Sequence, residues 1–136
     1  MSSTDAASTP ATVTGVDFVG MPTRDLDAAV AFYEQTLGLP RSVYMPERSY
    51  AEFEPGNVTL SVFDPSAVGI EHKANPNAIA LHVEDVAQAR ATLEERGVQF
   101  VGDTLDTGVC HMAFFSDPDG NALMLHHRYA PRAPRG

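Results

Sequence analysis

The stretch "FVGMPTRDLDAAVAFYEQTLGL", Phe18 to Leu39, is written a second time as "AIALHVEDVAQARATLEERGV", Ala78 to Val98, sixty residues later. In that register Asp25 meets Asp85, Ala29 meets Ala89, Ala31 meets Ala91 and Glu34 meets Glu94; Leu26 meets Val86 and Tyr33 meets Leu93. Each copy reads as a short apolar strand, an Asp, and a helix with Ala on its packing face. Asp25 and Asp85 are natural N-caps, because a carboxylate accepts the free N–H groups of a first helical turn. Gln88 stands where it can complete a capping box with Asp85. Gly38 and Gly97 stop the two helices at the left-handed position.

Short strands follow each helix. In the first half they are expected around Arg41–Met45, Tyr50–Glu54 and Val58–Phe63, broken by Pro46-Glu47 and Pro55-Gly56-Asn57. In the second half they are expected around Gln99–Asp103, Val109–Phe115 and Ala122–His127. Asp106-Thr107-Gly108 and Asp117-Pro118-Asp119-Gly120 break them. The last of these is a well-specified turn: Pro fixes φ, Asp suits the second central position, and Gly takes the left-handed residue after it. "EHKANPNA", Glu71 to Ala78, links the copies. The order is strand, helix, strand, strand, strand, twice over. The fold class is α+β: two tandem βαβββ modules, 13–70 and 76–130, forming one domain over 13–130. One helix cannot cover both faces of a four-stranded sheet, so the two sheets are expected to roll into one mixed sheet with a concave cup.

Composition narrows the function. The chain has 136 residues and a formal net charge of −9, which argues against a nucleic-acid partner, since that chemistry needs a basic face. Arg132 and Arg135 give residues 131–136 a basic character, read as a solvated tail. Residues 1–12 are rich in Ser, Thr and Ala and are expected to be a disordered lead-in, with no signal-peptide pattern. No apolar run approaches membrane-spanning length, and the single cysteine, Cys110, forms no internal disulfide. A cytoplasmic location and no membrane partner are the expectations.

"DLDAAVAFYEQTLGL" and "FFSDPDGNALML" together resemble the vicinal oxygen chelate superfamily of glyoxalases, bleomycin-resistance proteins and extradiol dioxygenases. The resemblance covers roughly residues 13–130. It implies the paired βαβββ fold, a ligand cup and a two-fold homodimer. It also implies four metal-ligand positions on the first and last strands of each module. Here they fall on Phe18 in "VDFVG", Ser61 in "TLSVF", Ala78, and Met124 in "GNALML". A divalent cation wants imidazole or carboxylate, so none of the four serves it, and no metal and no cofactor is expected.

Side chains alternate along a strand. If Met124 points into the cup, so does His126. The hairpin then sets Phe114 opposite Met124 and Met112 opposite His126. Phe18 and Ala78 share the cup with Ser61, Thr59 and Phe63, and with His82. The expected ligand-binding set is Phe18, Ser61, Phe63, His82, Met112, Phe114, Met124 and His126. Such a lining suits a flat, aromatic or apolar organic molecule. His82 and His126 are the weak catalytic candidates, and both also fit strand ends half in solvent. The adjacent pair His126-His127 does not read as a metal pair, because neighbours on a strand face opposite ways. His72, His111 and His127 read as outward or in loops, Cys110 as a small buried apolar residue, and Asp117 and Asp119 as turn formers. The reading that follows is a metal-independent binder that sequesters a small organic molecule, with an acidic body that attracts a cationic one. An enzyme of lyase, isomerase or dioxygenase type, using the histidines or a displaced metal, is the alternative. A structural domain with a filled cup is the third.

Overall fold

The computed structural model describes residues 10–132. The lead-in before residue 10 and the tail beyond residue 132 lie outside the described residues. The first module runs β1 (Phe18–Pro22), α1 (Leu26–Val30, continuing as a π-helical segment Ala31–Thr36), β2 (Arg41–Met45), β3 (Tyr50–Phe53) and β4 (Thr59–Phe63). The second runs β5 (Ile79–His82), α2 (Val86–Glu95), β6 (Val101–Asp106), β7 (Cys110–Ser116) and β8 (Ala122–Arg128). Both N-caps form as the sequence predicts: Asp25 Oδ1 accepts from Ala28 N at 3.1 Å, and Asp85 Oδ1 from Gln88 N at 3.0 Å. Gly38 and Gly97 follow the helices with φ of +76° and +93°. The π-helical segment is a feature the repeat hides. There Leu37 N reaches back five residues to Phe32 O at 2.9 Å.

The sheets have equivalent orders, β1-β4-β3-β2 and β5-β8-β7-β6, each with a parallel pair at one edge followed by two antiparallel pairs. Among the described residues the hydrogen bonding makes two four-stranded mixed sheets with no closed barrel, the α+β arrangement of paired βαβββ modules that the sequence predicts. Their helix-covered faces share one core. Met21, Ala29, Tyr33, Phe53, Leu60 and Val62 of the first module are buried with Val86, Leu93, Ala113, Phe115, Leu123 and Leu125 of the second. Phe32 bridges the modules, 5.2 Å from the Tyr33 ring and 6.4 Å from that of Phe115. Burying this continuous apolar surface is the main drive for docking the halves.

The Asp117–Gly120 turn fastens that docking. Its own frame is the bond from Gly120 N to Asp117 O, 3.0 Å. The buried Asp117 carboxylate accepts four hydrogen bonds: from Asp119 N and Asn121 N at 2.9 Å each, from Asn121 Nδ2 at 2.7 Å, and from Tyr33 Oη, on the first module's helix, at 2.7 Å. Asn121 Nδ2 also donates to Pro22 O at 2.8 Å, and Arg24 N donates to Asp119 Oδ1 at 2.9 Å. Asn75 N in the linker donates to Asn121 Oδ1 at 2.8 Å. A turn that looks local in the sequence therefore ties both modules and the linker together. Burial, then the Asp117 charge, push the Tyr33 hydroxyl far above the usual tyrosine range.

Candidate functional site

On β3, Ala51 and Phe53 are fully buried against the helices, so Tyr50 and Glu52 stand on the opposite, concave face of the first sheet. The register sets Tyr50 against Phe63 and Glu52 against Ser61 on β4, while Phe18, Gly20 and Pro22 come from β1. These strands frame a concavity of about 470 Å³ lined by Phe18, Pro22, Tyr50, Ser61, Phe63 and Pro65. Its rim is apolar. Phe18 is 58% exposed. Phe63 stacks edge-on to Tyr50, with ring centroids 6.4 Å apart.

The floor is polar. Tyr50 Oη donates to the Glu52 carboxylate, and Ser61 is buried at 4% exposure beside them. Burial raises the Tyr50 pKa and the bond to Glu52 adds to it, against a smaller opposing effect of the Ser61 hydroxyl. The phenol is held protonated, so it donates and the carboxylate accepts. At the strand end, Glu54 accepts from Ser42 Oγ at 2.6 Å and from Thr59 Oγ1 at 2.8 Å, and these hydroxyls hold its carboxyl below the usual range. Chemically the concavity offers flat apolar contact with the Tyr50 and Ser61 hydroxyls as its polar groups, the Tyr50 hydroxyl being held by the Glu52 carboxylate.

The second sheet carries the remaining expected residues. Phe114 pairs with Met124 and Met112 with His126, as the turn predicts, and all four are half-buried. Leu123 and Leu125 on the opposite face are buried in the core, so the inward and outward assignment of β8 holds. The structure does not gather the expected set into one cup within the chain. Phe18, Ser61 and Phe63 line the first-sheet concavity, while Met112, Phe114, Met124 and His126 lie on the second sheet. His82 is the register partner of His126 on the second sheet. It sits on the edge strand β5, its ring 5.8 Å from that of His127, and lines a separate groove with Leu37, Leu39, Ile79 and Leu81. Cys110 is buried and free. His72 lies in the linker but is not solvated: its side chain is 9% exposed and its Nε2 is 3.9 Å from Asp119 Oδ1. Alternation along β3 could have found Tyr50 and Glu52, because Ala51 and Phe53 already mark the core face.

A family model described as Glyoxalase/Bleomycin resistance protein/Dioxygenase superfamily matches residues 15–125. The chain belongs to this superfamily. It is 29% identical over 114 residues to the uncharacterized protein YraH of Bacillus subtilis, covering 75% of this chain and 89% of that one. Among solved structures it is similar to TnmS3, an antibiotic-binding protein from Streptomyces sp. CB03234, at 25% identity and a TM-score of 0.73, covering 88% of this chain and 99% of that one. A glyoxalase/bleomycin resistance protein/dioxygenase from Nocardioides shares the fold, with 21% identity, a TM-score of 0.74, and coverage of 97% of this chain and 95% of that one.

Enzymes of the superfamily hold a divalent ion at positions that fall here on Phe18, Ser61, Ala78 and Met124. These residues do not fit one. Phe18 turns an exposed phenyl over the concavity, Ser61 offers a single buried hydroxyl, and Met124 pairs with Phe114 and Ala80. A hydroxyl and a thioether on separate sheets are not a donor set for a hard or borderline cation.

Proposed function

We propose that this chain binds a flat, aromatic or apolar small molecule without a metal, and that its role is sequestration rather than turnover. The observation that carries the reading is the first-sheet concavity, with exposed Phe18 and half-buried Phe63 beside the hydroxyls of Tyr50 and Ser61. Apolar walls with a few converging polar groups are the usual make-up of a small-molecule site. Likeness to a protein described as antibiotic-binding supports it. The filled-cup alternative fits poorly, because a filled cup would not leave Phe18 exposed.

The reading includes a homodimer. Each sheet presents an apolar concave face: Phe18 and Phe63 on the first, Met112, Phe114 and Met124 on the second. A two-fold partner would lay its second sheet across the first sheet of this chain and complete two equivalent cups. Phe18, Val16, Val68 and Ile70, all exposed, are the surface such a partner would cover. The work of such a protein would be done in the cytoplasm, where one buried free cysteine is at no disadvantage.

The test is isothermal titration of the untagged protein with a panel of polycyclic aromatic natural products, before and after chelator treatment. We expect one ligand per chain, affinity unchanged by EDTA, and a loss of roughly ten- to a hundredfold on Phe63→Ala, since burying a ring against that side chain contributes roughly 1.5–3 kcal/mol. A ligand whose binding vanishes with EDTA, or is indifferent to Phe63→Ala and Phe18→Ala together, would overturn the reading.

A further inference from the structure

We propose that His82, Glu84 and His127 form a binding site for a borderline divalent transition ion such as Zn²⁺, at the end of the second sheet and apart from the cup. Among the described residues this is the one group of His, Cys, Asp and Glu side chains whose ligand atoms all lie within 4.8 Å of one another. The three residues come from two neighbouring strands. His82 ends β5, Glu84 follows in the turn before α2, and His127 lies on β8, which pairs with β5 in parallel.

Three features favour an ion over a chance cluster. The donor set is two imidazoles and one carboxylate, the mixture that suits Zn²⁺, Ni²⁺ or Cu²⁺ and disfavours Ca²⁺ or Mg²⁺. His127 is already oriented: its Nδ1 lies 3.1 Å from the Val83 carbonyl, so Nδ1 carries the proton and donates it. That leaves the lone pair on Nε2 free for a ligand bond, the backing that metal-bound histidines characteristically have. Third, His82 Nε2 and Glu84 Oε2 already meet at 2.5 Å. An ion would spread them toward the roughly 3.4 Å that neighbouring ligands keep around a tetrahedral ion. Their side chains are 66% and 86% exposed, so the adjustment meets no packing, and a water can fill the fourth position.

The site does not coincide with the four superfamily ligand positions. An ion there would pin the β5–α2 turn to β8 at the edge of the second sheet. It would neutralise part of the acidic surface formed by Glu84 and Asp85.

Isothermal titration of untagged, chelator-treated protein with Zn²⁺ alone tests this. We expect one ion per chain with micromolar affinity, and a loss of at least tenfold for His82→Ala and for His127→Gln. Substitution His111→Gln, outside the cluster, serves as the control and should leave binding unchanged. Circular dichroism of each variant without metal separates loss of ligand from loss of fold. Binding absent up to 100 µM Zn²⁺, or retained in a folded double variant lacking both His82 and His127, would overturn the proposal.

Discussion

Replacing Tyr33 with Phe removes one oxygen and keeps the ring that packs 5.6 Å from Phe53. The lost bond is a 2.7 Å donation to Asp117 Oδ2 between residues 84 apart in sequence, in a place closed to water. A buried hydrogen bond to a charged group contributes about 1.5–3 kcal/mol. Asp117 would keep three donors, so it is not orphaned, and a loss of about 2 kcal/mol is expected. Asp117→Ala is harsher. It strands Tyr33 Oη, Asn121 N, Asp119 N and one hydrogen of Asn121 Nδ2. At about 1–3 kcal/mol for each buried donor left unmet, and with the half-buried Asp119 amide partly rescued by water, the cost is roughly 4–6 kcal/mol. Tyr129→Phe supplies the control. Its hydroxyl makes a bond of the same 2.7 Å length to Asp106, but on the exposed surface, where water replaces the lost partner and little stability should be lost. Urea unfolding of the three variants, followed by circular dichroism at pH 7, measures all of this. If Tyr33→Phe costs no more than Tyr129→Phe, the turn does not clamp the modules and the account of their docking is wrong.

Alkaline unfolding offers an independent check. The folded pKa of Tyr33 is raised, so folded and unfolded chains both carry the proton below about pH 10; above it the unfolded chain releases the proton first. Stability should fall as pH rises past about 10, by up to roughly 1.4 kcal/mol per pH unit from this residue, and Tyr33→Phe should flatten that fall. Two adjacent substitutions test the faces of β8. Leu125→Glu places a carboxylate at a site 3% exposed and should unfold the protein or cost several kcal/mol, whereas Met124→Glu, half-buried on the opposite face, should leave the chain folded and instead weaken the proposed dimer. Equal effects in thermal melts would refute the assignment. Light scattering at tens of micromolar should report twice the 14.6 kDa chain mass, and a clean monomer would count against the proposed dimer.

Much of the fold is legible in the residues themselves. The repeat at a spacing of sixty, the two capping aspartates and the turn residues set element type and order because each acts within a few residues of itself. Thus β2 runs Arg41–Met45 as expected, and the Asp117–Gly120 turn alone sets Phe114 opposite Met124. The faces of β8 follow from alternation and hold for the same local reason. The superfamily was legible too, and with it the substitution of Phe18, Ser61, Ala78 and Met124 for metal ligands. The tertiary structure decided what depends on distant chain segments meeting. Tyr33 and Asp117 come together only when the modules dock, so the turn's second task is invisible in a local reading. Whether the two concave faces share one cup depends on how whole sheets pack, and alternation says nothing about that: it put Phe18 and Met124 in one pocket, and the folded chain keeps them on separate sheets. His127 was discounted because strand neighbours point apart. Its ring lies beside His82 and near Glu84 at the end of the adjoining strand, a meeting that a reading of β8 alone does not give.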